Sequence, residues 1–238
     1  WMNGESISER LKARNVLTAA QTAEILFQLC SALAPVHKAG LPHGNLKPSN
    51  VFLNKTDSGE DHICVTDIAG SGVVGLRDDR EFMGSPKHMT PAQTEGTEIE
   101  TESDFFSLGV LGYLLLTGQY PFAAPTPAQT ADKIRSRSYR ALKETKNIDE
   151  SPLTRLIEKC IDQNPDNRFE TLRDLASGLA SYLKNLESQE TITETADDKA
   201  EASTDDDPDA TMAFQVPDEL QAFLDQHDGI LDDAETDT

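Results

Sequence analysis

Apolar residues group into three amphipathic stripes, two short β-rich runs and one segment that is apolar on nearly every side. The first stripe opens with Thr18-Ala-Ala-Gln21, a capping-box pattern that satisfies the first free N–H groups of a helix. Ile25, Leu26, Leu29, Leu33 and Val36 follow at helical spacing, and Gly40 ends the run. Pro35 inside the stripe removes a backbone donor, which predicts a kink or an early end. Residues 50–54 and 63–66 are the β-rich runs, and the polar, glycine-containing link between them predicts a hairpin. Residues 67–102 hold no sustained period and many Gly, Ser, Pro and Thr, which reads as one long loop of the kind that carries function. Residues 103–117 are apolar all round, the pattern of a buried helix. Ser151-Pro152, a cap with proline at the first helical position, opens a stripe of Leu153, Leu156, Ile157, Cys160 and Ile161. The last stripe carries Leu172, Leu175, Leu179, Tyr182, Leu183 and Leu186. The whole predicts a mainly α domain, a helical bundle with one short β-hairpin.

Charge divides this chain in two. Its 238 residues hold 21 Lys and Arg against 42 Asp and Glu, a net charge of −21. Residues 187–238 contain 18 acids and one base, Lys199, which leaves 24 acids and 20 bases in residues 1–186. The expected organisation is a nearly balanced domain over 1–186 and an acidic, largely disordered tail over 187–238, too poor in apolar surface to offset chain entropy. In the tail, Pro217-Asp-Glu-Leu-Gln-Ala-Phe-Leu224 predicts a short helix near 218–226 with an apolar stripe of Leu220, Phe223 and Leu224. Thr211, after an acidic run, offers a site to a phosphothreonine-reading partner.

The same balance argues against a basic nucleic-acid face. Cys30, Cys64 and Cys160 are odd in number and far apart, which argues against a disulfide framework and matches a reducing compartment. The longest apolar run, 110–116, is too short to span a bilayer. The expectation is a cytoplasmic protein with protein partners, and with neither nucleic acid nor membrane among them.

Candidate chemistry concentrates in His43-Gly-Asn-Leu-Lys-Pro-Ser-Asn50, the hairpin, and Asp67-Ile-Ala69. An antiparallel hairpin returns to its starting end, so Asn50 and Asp67 emerge together. An amide oxygen and a carboxylate at one end could hold a hard cation such as Mg²⁺. Lys47, three residues before Asn50, offers a point charge for a phosphate. Asn and Asp beside a hairpin also serve as turn formers. The residues alone leave both roles open.

The order of motifs adds more. His43–Asn50 resembles the catalytic loop His-Arg-Asp-Leu-Lys-Pro-x-Asn of eukaryotic-type Ser/Thr protein kinases, and Asp67-Ile-Ala69 is similar to their Asp-Phe-Gly element. Gly84-Ser-Pro-Lys-His-Met-Thr-Pro-Ala92 resembles the end of the activation segment. Ser103-Asp-Phe-Phe-Ser-Leu-Gly109 and Leu116-Thr-Gly-Gln-Tyr-Pro-Phe122 resemble the central buried helix and its exit, and Asn164-Pro-Asp-Asn-Arg168 the turn before the last helix. The resemblance implies the larger C-lobe of a protein-kinase-like, α+β family fold. Trp1–Ile7 resembles the segment after the kinase hinge, so the N-lobe, with its Gly-rich loop, strand lysine and glutamate partner, is expected to be absent.

By the same resemblance, Asn45 takes the place of the catalytic aspartate and Lys47 that of the catalytic-loop lysine. Asn50, Phe52 and Asp67 would face the nucleotide, with Asn50 and Asp67 on the metal. His43 would be a packed core residue, Asp104 an anchor for the catalytic-loop backbone, and Ser85 would match the activation-segment threonine. Gly44 replaces the usual arginine, Ile68 and Ala69 the Phe and Gly, and Ala92 the glutamate that pairs with Arg168. These departures imply a pseudokinase-like interaction or regulatory module in signalling. Its binding of ATP and Mg²⁺ would be weak or absent without an N-lobe. The alternative is a truncated Ser/Thr kinase that transfers the ATP γ-phosphate when its N-lobe is present.

Overall fold

Capping chemistry sets where most elements begin. The computed structural model describes residues 4–14, 16–55, 61–68, 86–145, 148–162 and 164–197. Strand β1 (Glu5–Ser6) runs directly into helix α1 (Ile7–Arg14). There Ser6 Oγ accepts the Glu9 N–H at 3.2 Å, and the Glu9 carboxylate accepts the Ser6 N–H at 2.8 Å. Helix α2 (Ala19–Lys38) starts on the complete Thr18–Gln21 capping box and stops before Gly40, whose φ of 72° suits a residue without Cβ. Strands β2 (Val51–Lys55) and β3 (Asp61–Val65) follow. A second capping box, Thr90 with Gln93, opens the short helix α3 (Pro91–Glu95). Helix α4 (Glu102–Thr117) leads through a left-handed Gly118 towards α5 (Pro127–Ser136), capped by Thr126. Helix α6 (Pro152–Cys160) begins on a Ser151–Thr154 box, and α7 spans Leu172–Asp197.

The three strands form one antiparallel sheet in the order β1-β2-β3, with Ser6 opposite Phe52 and Phe52 opposite Cys64. Helix α4 is the centre of the core. Residues 103–115 are all buried, as an all-round apolar sequence requires. Helices α2 and α6 pack against it, and the α6 contact is close because Gly109 and Gly112 lack side chains. A Cβ at Gly109 would lie 2.7 Å from Cys160 Cβ and from Ile161 Cγ1. Arg168 is buried beside this core. Its Nε donates to the Asp162 carbonyl at 2.6 Å, an Nη donates to the Glu102 carbonyl at 2.8 Å, and its guanidinium stands over the Phe106 ring.

Four expectations need correction. The hairpin gains a third strand, because β1 pairs with β2. Pro35 does not end α2 early: the helix continues to Lys38, and the carbonyl it would have bonded belongs to exposed Ser31, which water can serve. The stretch 67–102 is not all loop, since it contains α3 and a 3-10 turn at Pro86–His88. Helices α1 and α5 were not anticipated, although both carry capping signals. Ala69, Gly84, Ser85, Thr211 and the stripe at Leu220, Phe223 and Leu224 lie outside the described residues. The first compact unit is Trp1–Leu183 and the second Lys184–Thr238. No helix among the described residues is long and apolar enough to cross a membrane.

The glycine contacts give a paired prediction. Gly109→Ala gains about 1 kcal/mol of helix propensity but overpacks the α4–α6 contact, which costs about 1–3 kcal/mol, so the melting midpoint falls. At Gly178 the nearest atom to a new Cβ is the mobile Leu156 Cδ2, at 2.8 Å. Gly178→Ala therefore leaves the midpoint unchanged or raises it.

Candidate functional site

The buried carboxylate of Asp104, in the first turn of α4, organises the site. It is fully buried and accepts the His43 N–H at 2.7 Å and the Gly44 N–H at 3.0 Å. His37 Nε2, from the end of α2, lies 2.8 Å from the same carboxylate. Three donors and the positive end of α4 together compensate the lost hydration of the charge. From the other side, Gln93 Nε2 of α3 donates to the Gly44 carbonyl at 3.0 Å. Gly44 is thus clamped at both its N–H and its carbonyl, at a φ of 71° that a side chain would strain.

The clamped loop delivers the candidate residues. Asn45 donates from Nδ2 to the Asp67 carbonyl at a long 3.4 Å, and its own carbonyl accepts from Asn50 Nδ2 at 3.0 Å. Across the sheet end, the Thr66 N–H donates to the Asn50 carbonyl at 2.9 Å. Asn45, Asn50 and Asp67 therefore do come together at one end of the β2–β3 hairpin. Asn50 is buried, with Oδ1 accepting from Ser49 Oγ at 3.2 Å, while Asp67 is exposed and left-handed at φ 59°. Phe52 is half-buried on β2, one strand away from Ser6 and one from Cys64. Lys47, in the same loop, is one of the two charges that help lower the pKa of His88 in the 3-10 turn.

His43 is fully buried and takes the Asn45 N–H on Nδ1 at 3.3 Å. Burial holds its pKa below the ordinary histidine value. That is a core role. His88 is pushed down to about 4 by burial, then by Lys47 and Lys87.

The donor set of Asn50 and Asp67 offers one amide oxygen and one carboxylate. Asn50 Oδ1 keeps a lone pair beyond its bond to Ser49, and the Asp67 carboxylate faces solvent. Such a pair fits a hard divalent ion whose remaining ligands come from phosphate oxygens and water. Two site residues escaped the sequence reading, His37 and Gln93. Gln93 could have been found, since Thr90-Pro91-Ala92-Gln93 spells a capping box with proline at the first helical position.

A family model described as the protein kinase domain matches residues 1–177. This chain belongs to the protein kinase family. It is 30% identical over 188 residues to the serine/threonine-protein kinase PkaA of Streptomyces coelicolor, covering 78% of this chain and 34% of that protein. It is 29% identical to the serine/threonine-protein kinase pkn2 of Myxococcus xanthus, covering 78% of this chain and 24% of that protein. Identity to the serine/threonine-protein kinase PknB of Mycobacterium tuberculosis is 24%, over 75% of this chain and 29% of that protein. The chain spans about a quarter to a third of the length of these curated relatives.

Two outcomes follow from this geometry. Asp104→Ala leaves the His43 and Gly44 N–H groups orphaned in the core and lowers stability by on the order of 1–3 kcal/mol or more, read as a drop in the urea midpoint. Second, His88 binds a proton near pH 6.5 when unfolded but only near pH 4 when folded. The unfolded chain takes up more protons in that window, so stability is lost as pH falls through it, by on the order of 3 kcal/mol. His88→Gln keeps a partner for Tyr120 and makes this acid loss smaller in melting curves taken from pH 7 to 4.

Proposed function

We propose that this chain is a pseudokinase-like module that acts in signalling through protein contacts rather than by transferring phosphate. The observation that supports it is Asn45. By the motif in which it stands, this is the place of the carboxylate that would accept the proton of a substrate hydroxyl. A neutral amide cannot act as that base, and here its N–H is turned towards the Asp67 carbonyl. A general base contributes roughly two to four orders of magnitude in rate. Phosphoryl transfer also depends heavily on positioning, so losing the base slows the reaction rather than forbidding it. Gly44 and Ala92 extend the argument, since neither can supply the charge of the arginine and glutamate they replace. The cytoplasm as location, and Thr211 as a site for a phosphothreonine-reading partner, belong to the same proposal.

The second reading is a Ser/Thr protein kinase that uses Mg·ATP. It is favoured by the retained pairing of Asn50 and Asp67 at the hairpin end. ATP, if bound, would bring the transferable γ-phosphate with its Mg²⁺. Asn50 and Asp67 would hold the metal, Phe52 would meet the base, and Lys47 would offer its charge to a phosphate.

The two readings separate on the full chain with a generic Ser/Thr protein substrate. The expected result is no phosphate transfer above background, with or without Mg²⁺. Transfer that Asp67→Ala abolishes would contradict the pseudokinase reading and establish the second. A parallel nucleotide titration with and without Mg²⁺ tells whether Asn50 and Asp67 still bind.

A further inference from the structure

Asn45 reaches both members of the candidate cation pair. Its main-chain carbonyl accepts from Asn50 Nδ2 at 3.0 Å, and its own Nδ2 donates to the Asp67 carbonyl at 3.4 Å. Its N–H is held in turn by Nδ1 of the fully buried His43, at 3.3 Å. Gly44, just before it, is clamped by Asp104 and Gln93. Asn45 therefore stands on a fixed base and extends a donor outward to an exposed residue.

Asp67 needs such a support. Its φ of 59° lies in the left-handed region that a side chain disfavours, and exposed Ile68 follows it. A conformation of that kind persists only where neighbours hold it. Ahead of it, the Thr66 N–H is tied to the Asn50 carbonyl at 2.9 Å. Among the described residues, the bond from Asn45 Nδ2 is the one hydrogen bond that reaches Asp67 itself. An ionised carboxylate at position 45 could not make it. Such a group only accepts, and its oxygen would face the Asp67 carbonyl oxygen. The amide thus supplies a contact that the acid expected in this motif lacks.

We propose that Asn45 is a positioning residue. Its side chain holds Asp67 in the left-handed conformation and so presents the Asp67 carboxylate, beside Asn50 Oδ1, to a divalent cation. The substitution that removes a base supplies a strut. The inference rests on the cation pair of the second reading above, and it holds whether or not phosphate is transferred, because holding a cation moves no proton. With one carboxylate in the site instead of two, attraction for the cation is smaller. Affinity then depends more on donors that are already in place.

The test uses the full chain, isotope-labelled for NMR, and two variants of similar shape. Asn45→Leu removes the donor without adding charge, and Asn45→Asp removes it and adds an acid. Amide relaxation is expected to give Asp67 the order parameter of rigid backbone, about 0.85, in the unaltered chain and below about 0.6 in both variants. Residues 106–112 of α4 keep their order throughout, which shows that the variants fold; if one does not, the other still decides. Mn²⁺ is the probe for the cation. It is expected to broaden the Asn50 and Asp67 signals, with a midpoint severalfold higher in Asn45→Leu. Asp67 as ordered in either folded variant as in the unaltered chain, a Mn²⁺ midpoint unmoved by Asn45→Leu, or no broadening at millimolar Mn²⁺ would overturn the strut. Neither measurement contains nucleotide or protein substrate. Phosphate transfer by the chain would therefore refute the pseudokinase reading and leave the strut standing.

Discussion

The architecture hangs on one carboxylate. Asp104 is removed from water entirely, and its charge is tolerable only because His43, Gly44 and His37 bring donors to it. Those three come from the end of α2 and the loop after it, while Asp104 comes from the buried helix α4. A single side chain therefore fixes the loop to the core across about sixty residues of sequence. Removing the acid would leave both backbone donors unsatisfied, whereas removing any one donor would leave the others. The dependence is asymmetric, and it puts Asp104 above its partners.

Everything at the candidate site is downstream of that anchor. With Gly44 held by Asp104 and Gln93, Asn45 has little choice of direction, and Asn45 in turn positions Asn50 and meets Asp67. The scaffold is that of a protein kinase domain, but the chemistry along it is altered at the residues that would carry charge. An amide stands where a base is expected, and a glycine where an arginine is expected. On the proposed reading these replacements suit a binding module, since docking needs shape and selective charge but no proton transfer.

Much of this was readable in the sequence, and the failures have physical causes. The meeting of Asn50 and Asp67 follows from antiparallel pairing alone, and the register of Val51 with Val65 realises it. The buried helix was evident because residues 103–117 have no polar face. The anchoring role of Asp104 was not visible in any local pattern; it came only through the resemblance, because its partners are remote. Helices α1, α3 and α5 were missed for the opposite reason. Their caps, Ser6 with Glu9, Thr90 with Gln93 and Thr126 before Pro127, are plain local signals, but each helix carries too few large apolar residues to build a hydrophobic period. Pro35 does not end the helix because the carbonyl it frees, on exposed Ser31, is one that water can serve. His37 was hidden among ordinary helix residues, since nothing nearby in sequence shows that its ring reaches α4.

The central claim, that Asp104 pins the loop carrying Asn45 and Asn50 to the core, is tested most directly by amide hydrogen exchange at His43 and Gly44. Loop amides without such a partner exchange through small local openings, whereas amides bonded to a buried carboxylate open only with the core. The account predicts that both amides exchange as slowly as the interior of α4, residues 106–112. Fast exchange at His43 and Gly44 while α4 remains protected would contradict it.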